Sequence, residues 1–220
     1  MQNGRLSYDE NVRYYDLGFY DNPNEFFPRM DIMETSNLYF TISAIDKNDP
    51  VVQHVFRQAD NNEDFNRIKV ATADIKRKYG NTNTDSYGAR MYGNGYFDKN
   101  QYIWLANRLT KKPVTKSATI SILQPGEAKP PCLALLDFKF RNEKLDMTVV
   151  YRSQNVFLKQ PGNLVALRKI QSALAEEIDF EVGTVDLLII SAHIYKYDWD
   201  VANLILEQNK DLISKYSLEG

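Results

Sequence analysis

The chain has 220 residues, 43% hydrophobic and 12% aromatic, enough to bury one sizeable core, so a single domain over 1–220 is the expected organisation. Its formal net charge of −2 argues against a protein held on nucleic acid by bulk electrostatics, although a local basic pocket stays open. One cysteine cannot close an intramolecular disulfide, which sets aside the stapled secreted domains and points to a reducing, cytoplasmic compartment; no apolar run is long enough for a bilayer span or a signal peptide.

The first stretch, to about Pro28, is rich in Asn, Asp and Tyr without periodicity and reads as loop with short elements. SNLYFTISAI (36–45) has the β-branched and aromatic content of a strand, closed by Asn48-Asp49-Pro50. Residues 51–79 are charged and helix-tolerant, ending at Gly80, and the Asn- and Gly-rich stretch 81–97 reads as an ordered loop. QYIWLANRLTKK places Ile103, Leu105, Ala106 and Leu109 at helical spacing before the stop at Pro113. SATISILQP is a strand ended by Pro125-Gly126, and CLALLDFKF is another. In KLDMTVVYR, Leu145, Met147, Val149 and Tyr151 alternate with Asp146, Thr148, Val150 and Arg152, the pattern of a half-buried strand with Arg152 on its more polar side. NLVALRKIQSALAEEI sets Leu164, Leu167, Ile170, Leu174 and Ile178 on one helical stripe. TVDLLIISAHIY is a buried strand and WDVANLILEQNKDLISKY a last amphipathic helix. Strands in a row with interspersed helices, lacking strict βαβ alternation, indicate an α+β fold. Repeats, phosphate loops, CxxC, HExxH and GxSxG are all absent from the sequence.

Three stretches carry candidate chemistry. Cys132, in KPPCLALLDF, is either a small buried hydrophobe at a strand start or a nucleophile. With two His and one Cys spread along the chain, no metal-ligand spacing exists. In YRSQNVFLKQPGN, Asn163 reads as the N-cap of the helix it opens and Arg152 as a surface partner for a carboxylate, or the group reads as a cradle for an anion and a heterocycle. In SAHIYKYDWD, His193 and Tyr195 project to one face, as core residues or as ligands, while His54 reads as an exposed bystander.

Taken in order, Pro131-Cys132, Arg152-Ser153-Gln154-Asn155-Val156-Phe157-Leu158 with Pro161-Gly162-Asn163, and His193-Ile194-Tyr195 resemble the thymidylate synthase family, which includes the pyrimidine nucleotide hydroxymethylases. The likeness covers about residues 100–204, with SYGARM (86–91) similar to the family's Tyr-Gly-x-Arg segment, and looks closest to the short archaeal and phage members. It implies an α+β fold whose large mixed sheet is flanked by helices and packs back to back in a homodimer. It implies Cys132 as the thiolate that adds to carbon 6 of the pyrimidine, favoured by the nearby Arg152 cation. Arg152 and Ser153 would hold the phosphate of a pyrimidine nucleoside monophosphate, Asn163 the base edge, and His193 and Tyr195 the ribose hydroxyl. Asn155 would orient the base and touch the folate, and Arg29 and Lys116 would complete the substrate-binding set. The one-carbon carrier would be 5,10-methylenetetrahydrofolate.

The chain departs from the family at several positions. Lys116 and Ser117 stand where the partner subunit's two arginines are expected, and Leu133 where the family has His after the nucleophile. VVQHVFRQAD (51–60) lacks the glutamate of the Glu-x-x-Trp helix: Gln53 cannot relay a proton, and Glu63 fits only with a shifted register. A closing C-terminal tail is also missing, and Leu218-Glu219-Gly220 reads as a cloning scar. Asn163 favours uracil over cytosine, hence methylation of dUMP to dTMP. The missing glutamate and tail favour a 5-hydroxymethylase instead, or a degenerate member that binds a nucleotide without turnover.

Overall fold

The alternation in residues 144–151 organises the sheet, and it does so inside a computed structural model that describes residues 32–43, 87–93, 100–127, 130–211 and 214. The described strands are β1 (Ile32–Ile42), β2 (Thr119–Ser121), β3 (Leu133–Arg141), β4 (Lys144–Tyr151), β5 (Gln154–Asn155) and β6 (Glu181–Tyr195). Helices α1 (Tyr87–Tyr92), α2 (Gln101–Lys111), α3 (Gln160–Glu177) and α4 (Trp199–Gln208) lie between and after them. The expectations for the first loop, for residues 51–80, and for Arg29, Gln53, His54, Glu63 and 218–220 fall outside the described residues.

The sheet order is β1-β6-β4-β3-β2, with β5 also paired to β6. β4 and β5 run parallel to β6 and the other pairs are antiparallel, so the sheet is mixed as expected. A tight hairpin joins β3 to β4 through Asn142 and Glu143, both at positive φ (50° and 64°), which matches the right-handed twist of the strands. The parallel β4–β6 pair needs a crossover, and α3 supplies it.

Leu145, Met147, Val149 and Tyr151 are all buried, as the alternation requires. On the same face, Phe40, Leu187, Val149 and Leu136 form one cross-strand row and Ile42, Val185, Met147 and Phe138 another. Ala166, Leu167, Ile170 and Leu174 of α3 and Leu105 and Leu109 of α2 join them in a single core. The α2 stripe is turned slightly from its predicted position: Tyr102 is buried and Ile103 is 54% exposed, because 102, 105, 106 and 109 form the i, i+3, i+4, i+7 set. The strand expected over SATISILQP is confined to Thr119–Ser121.

Two irregularities place the ends of strands. At the start of β6 the register shifts opposite Leu145 and Met147, and Asp146 Oδ1 accepts hydrogen bonds from the Thr184 N–H (2.9 Å) and hydroxyl (3.3 Å). Gly183 is required there, since a Cβ would stand 2.1 Å from that oxygen. A second bulge, between Leu133 and Leu135, puts the extra residue Ala134 just after Cys132 and re-aims the strand entry. Among the described residues no helix is long and apolar enough to cross a membrane.

Candidate active site

Cys132 precedes β3 and is partly exposed, packed against the rim of the core rather than sealed in it. Its carbonyl accepts the Arg152 N–H at 2.9 Å, which extends the β3–β4 pairing one residue past Leu133 and Tyr151. The Arg152 side chain folds back along this junction, with Nε donating to the Pro131 carbonyl (2.9 Å) and Nη2 to the Pro130 carbonyl (2.6 Å). Arg152 is thus first a brace for the turn that presents the cysteine. Nη1 and the second hydrogen of Nη2 are what it can offer an anion.

Tyr151 completes this corner. The side chain is fully buried, with the Asn163 amide beside its hydroxyl and Tyr87 of α1 and Cys132 within electrostatic range. Burial holds its pKa well above the ordinary phenol value, with Tyr87 and Cys132 adding to the rise and the Asn163 amide opposing it. Asn163 Oδ1 is buried and unpartnered, and the Tyr151 hydroxyl is buried beside the amide of the same residue. Gln160, one helical turn before Asn163, has both amide atoms buried without a partner. Each such group loses about 1–3 kcal/mol to desolvation unless something binds it. Unpartnered groups gathered at one helix start beside a strand end mark a place built for a polar ligand.

Asn163 does not cap its helix. α3 begins at Gln160, Lys159 is the N-cap, and the Asn163 N–H already donates to the Lys159 carbonyl at 3.0 Å. Pro161 sits in the first turn, where a missing N–H is harmless, so the Pro-Gly pair opens the helix instead of preceding it. The Asn163 side chain is thereby released from capping and is only 2% exposed.

A second group lies across β5 and β6. The register places Asn155 beside His193, and the Val156 N–H donates to the His193 carbonyl at 3.0 Å. The Ser153 hydroxyl stands 3.4 Å from His193 Nδ1, both side chains being buried. Burial lowers the His193 pKa, opposed by a hydrogen bond with the Ser191 backbone and by the carboxylate of Glu34, its cross-strand neighbour, so the imidazole is held towards its neutral form. Tyr195 meets the His193 ring edge-on at 5.1 Å and stacks on Tyr197 at 5.5 Å. Asn155 Oδ1 accepts from the N–H groups of Phe157 (3.0 Å) and Leu158 (2.9 Å), which commits the oxygen to the turn and leaves the amide N–H groups for a ligand.

The structure therefore gathers Cys132, Arg152 and Asn163 at one corner and Ser153, Asn155, His193 and Tyr195 at the adjoining one, joined by the short run 151–155. Lys116 is exposed on the turn between α2 and β2, and none of the described hydrogen bonds or ion pairs ties it to either corner. Arg29 lies outside the described residues. Tyr151 and Gln160 carried no sequence signal as site residues, because one reads as a core aromatic in an alternating strand and the other as a loop amide.

A thymidylate synthase family model matches residues 46–219. Two archaeal proteins described as "Putative thymidylate synthase" are similar. That of Methanosarcina mazei is 34% identical over 127 residues, 56% of this chain and 58% of that protein. That of Methanosarcina barkeri is 32% identical over 127 residues with the same coverage, so the match takes in less than two thirds of either relative. The crystal structure of thymidylate synthase from T4 phage shares the fold, with a TM-score of 0.56 at 18% identity over 84% of this chain and 72% of that one. Since the family match runs through both corners described above and most of the sheet, the chain belongs to the thymidylate synthase family.

Proposed function

We propose that this chain transfers a one-carbon unit to carbon 5 of a pyrimidine nucleoside monophosphate, dUMP to dTMP, through a covalent adduct on Cys132. The observation that carries the reading is that Cys132, a partly exposed residue braced by Arg152 at the end of the β3–β4 pair, adjoins the start of α3, where Asn163 Oδ1 and both amide atoms of Gln160 are buried without a partner. A uracil edge supplies the N–H that Asn163 Oδ1 lacks, and the amide N–H of the same residue can meet the ring oxygen.

Carbon 5 of the ring is a poor nucleophile until sulfur adds at carbon 6. The thiolate of Cys132 forms the bond to carbon 6, and the electrons of the 5,6 double bond move towards the carbonyl oxygen at carbon 4, leaving an enolate reactive at carbon 5. Carbon 5 would then bond to the incoming one-carbon unit, and only after that do loss of the carbon 5 proton and departure of the sulfur from carbon 6 restore the 5,6 double bond. Ser153 and the free edge of Arg152 suit the phosphate through charge-assisted hydrogen bonds. Neutral His193, with Tyr195 beside it, suits the sugar hydroxyl. 5,10-Methylenetetrahydrofolate would supply the one-carbon unit and, for a methyl product, the hydride. Asn155 fits that carrier as a donor only, because its oxygen is committed to the turn.

The homodimer belongs to the same proposal. The sheet face opposite the core carries an apolar row, Tyr39, Leu188, Val150 and Leu135, in cross-strand register. Tyr39 is 61% and Ile190 47% exposed there, an apolar surface suited to a second copy of the sheet. Back-to-back packing would also explain Lys116, solvent-facing in one protomer and available to the phosphate site of the other. The chain would work in the cytoplasm, where its thiol stays reduced.

Tritium release from [5-³H]dUMP and [5-³H]dCMP with methylenetetrahydrofolate, followed by product analysis, tests the reaction. Release from dUMP with a methyl product is expected, and Cys132→Ala should abolish it. A hydroxymethyl product would move the assignment to a hydroxymethylase, and nucleotide binding without release from either base would overturn turnover altogether.

A further inference from the structure

Gln160 and Gln171 are the same residue type on the buried side of the same helix, and their amides have opposite fates. Gln171 is engaged at both ends: Nε2 donates to the carbonyls of Leu145 (2.7 Å) and Thr184 (2.9 Å), and Oε1 accepts from Arg168 Nη1 (2.8 Å). Gln160 is 6% exposed, yet neither its Nε2 nor its Oε1 has a hydrogen-bond partner. A buried amide that serves the fold looks like Gln171. At position 160, leucine or methionine would fill the space without stranding a donor and an acceptor away from water.

The course of α3 places Gln160 at the candidate site. The helix crosses from β4 to the parallel β6, so it runs antiparallel to both, and Gln171 fixes it over Leu145 near the start of β4. From Gln171 back to Gln160 the helix spans ~16 Å, the length of about five strand residues, which brings Gln160 level with Val150 and Tyr151 at the end of β4. The next residue, Arg152, gives its N–H to the Cys132 carbonyl. On the other side the Lys159 N–H donates to the Asn155 carbonyl at 3.2 Å, so the helix start is tied to β5 as well. The buried apolar side chains of α3 end at Ala166, and beyond them the same buried stripe continues as Asn163, 2% exposed, and Gln160.

The unmet atoms of these two side chains are one donor, Gln160 Nε2, and two acceptors, Gln160 Oε1 and Asn163 Oδ1. The free edge of uracil presents a carbonyl, an N–H and a second carbonyl in a row. With Asn163 Oδ1 on the central N–H and the Asn163 amide N–H on the carbonyl at carbon 4, the carbonyl at carbon 2 still lacks a donor. We propose that Gln160 is a second base-reading residue, whose amide N–H donates to that carbon 2 carbonyl. Cytosine keeps the same carbonyl, so Gln160 anchors either pyrimidine and leaves the choice between them to Asn163. The assignment rests on the nucleotide reading of the site, and its test measures binding rather than turnover.

Calorimetric titration of the wild-type protein and Gln160→Leu with dUMP, 2-thio-dUMP and 4-thio-dUMP tests the contact atom by atom. Gln160→Leu is expected to weaken dUMP about tenfold. The loss should persist with 4-thio-dUMP and vanish with 2-thio-dUMP, because sulfur at carbon 2 is a weak acceptor that gains little from the Gln160 donor. The Tm of the nucleotide-free protein should hold or rise in Gln160→Leu, which removes unmet buried groups, and fall in Gln171→Leu, which strands two carbonyls. An unchanged affinity for dUMP, or an equal loss for all three nucleotides, overturns the role. So does a fall in Tm matching that of Gln171→Leu, which would make Gln160 structural. Should Gln160→Leu fail to fold, Gln160→Met, which keeps the unbranched side chain, carries the same comparison. A wild-type protein that binds none of the three nucleotides rejects the nucleotide reading itself, whereas one whose affinity for dUMP does not depend on the Gln160 amide rejects this assignment alone.

Discussion

His193 shows how a single side chain can link folding to pH. Its imidazole is 5% exposed, and burial lowers its pKa despite the opposing Ser191 backbone and Glu34 carboxylate. The unfolded chain, with an ordinary histidine near 6.5, therefore binds the proton more readily than the folded one. The sign follows: the stabilisation is complete above about pH 6.5 and is lost as the pH falls towards the lower, folded-state value, with a slope of at most about 1.4 kcal/mol per pH unit for one proton. Urea unfolding between pH 7.5 and 5.5 should show this decline, and His193→Gln should flatten it. Comparison of the two proteins cancels the other histidine, His54. If the variant keeps the wild-type slope, His193 is not the linked group. As a candidate residue His193 was legible from its place at the end of an apolar strand. The lowering of its pKa was not, because that comes from burial under other elements, working against a carboxylate from β1 far away in sequence.

At the scale of elements, α1 is too short to hold itself in place, and a buried ion pair fixes it. Arg90, 1% exposed, pairs through both terminal nitrogens with Glu127 and donates to the Ile122 carbonyl at 3.1 Å, while Gln101 joins the Arg90 and Ser121 carbonyls. Those hydrogen bonds hold the Glu127 carboxyl below its usual pKa, and Gly126 at a φ of 74° makes the turn that presents it. The pair ties the helix bearing Tyr87 to the segment that leads into the Cys132 turn. Glu127→Gln leaves the guanidinium buried without its counter-charge and should reduce unfolding free energy by about 3 kcal/mol, read by denaturant titration. Arg90→Met with Glu127→Leu should recover most of that loss, and equal stability of the single variant and the wild type would show the pair to be dispensable. Local patterns could not reveal this tie, since its members are 37 positions apart. They did reveal β4 and the apolar face of α3, where periodicity is strong. They failed at the α3 start, where Pro161-Gly162 reads as a turn although proline is at home in a helix's first turn.

For the whole molecule, the two faces of the sheet have different fates. The core face is covered by α2 and α3, while the other presents its apolar row beside a polar one. In the polar row the Thr41 hydroxyl donates to Asp186 and the Thr119 hydroxyl to Asp137, each at 2.6 Å. Pairing of this kind meets part of each carboxylate's hydrogen-bonding capacity within the sheet, which would lower the cost of covering this face in the proposed dimer. Leu188 lies at the middle of the apolar row, between Tyr39 and Val150. Light scattering should therefore give the wild-type protein the mass of two chains. Leu188→Glu should give the mass of one, because a dimer would have to desolvate a carboxylate from each subunit with no partner. If Lys116 serves the other protomer's phosphate site, the monomeric variant should also lose tritium release from dUMP while Cys132 keeps its rate of alkylation by iodoacetamide. A wild-type protein that is monomeric and active would remove both the dimer and the trans role of Lys116. A Leu188→Glu protein that stays dimeric would move the interface to another surface.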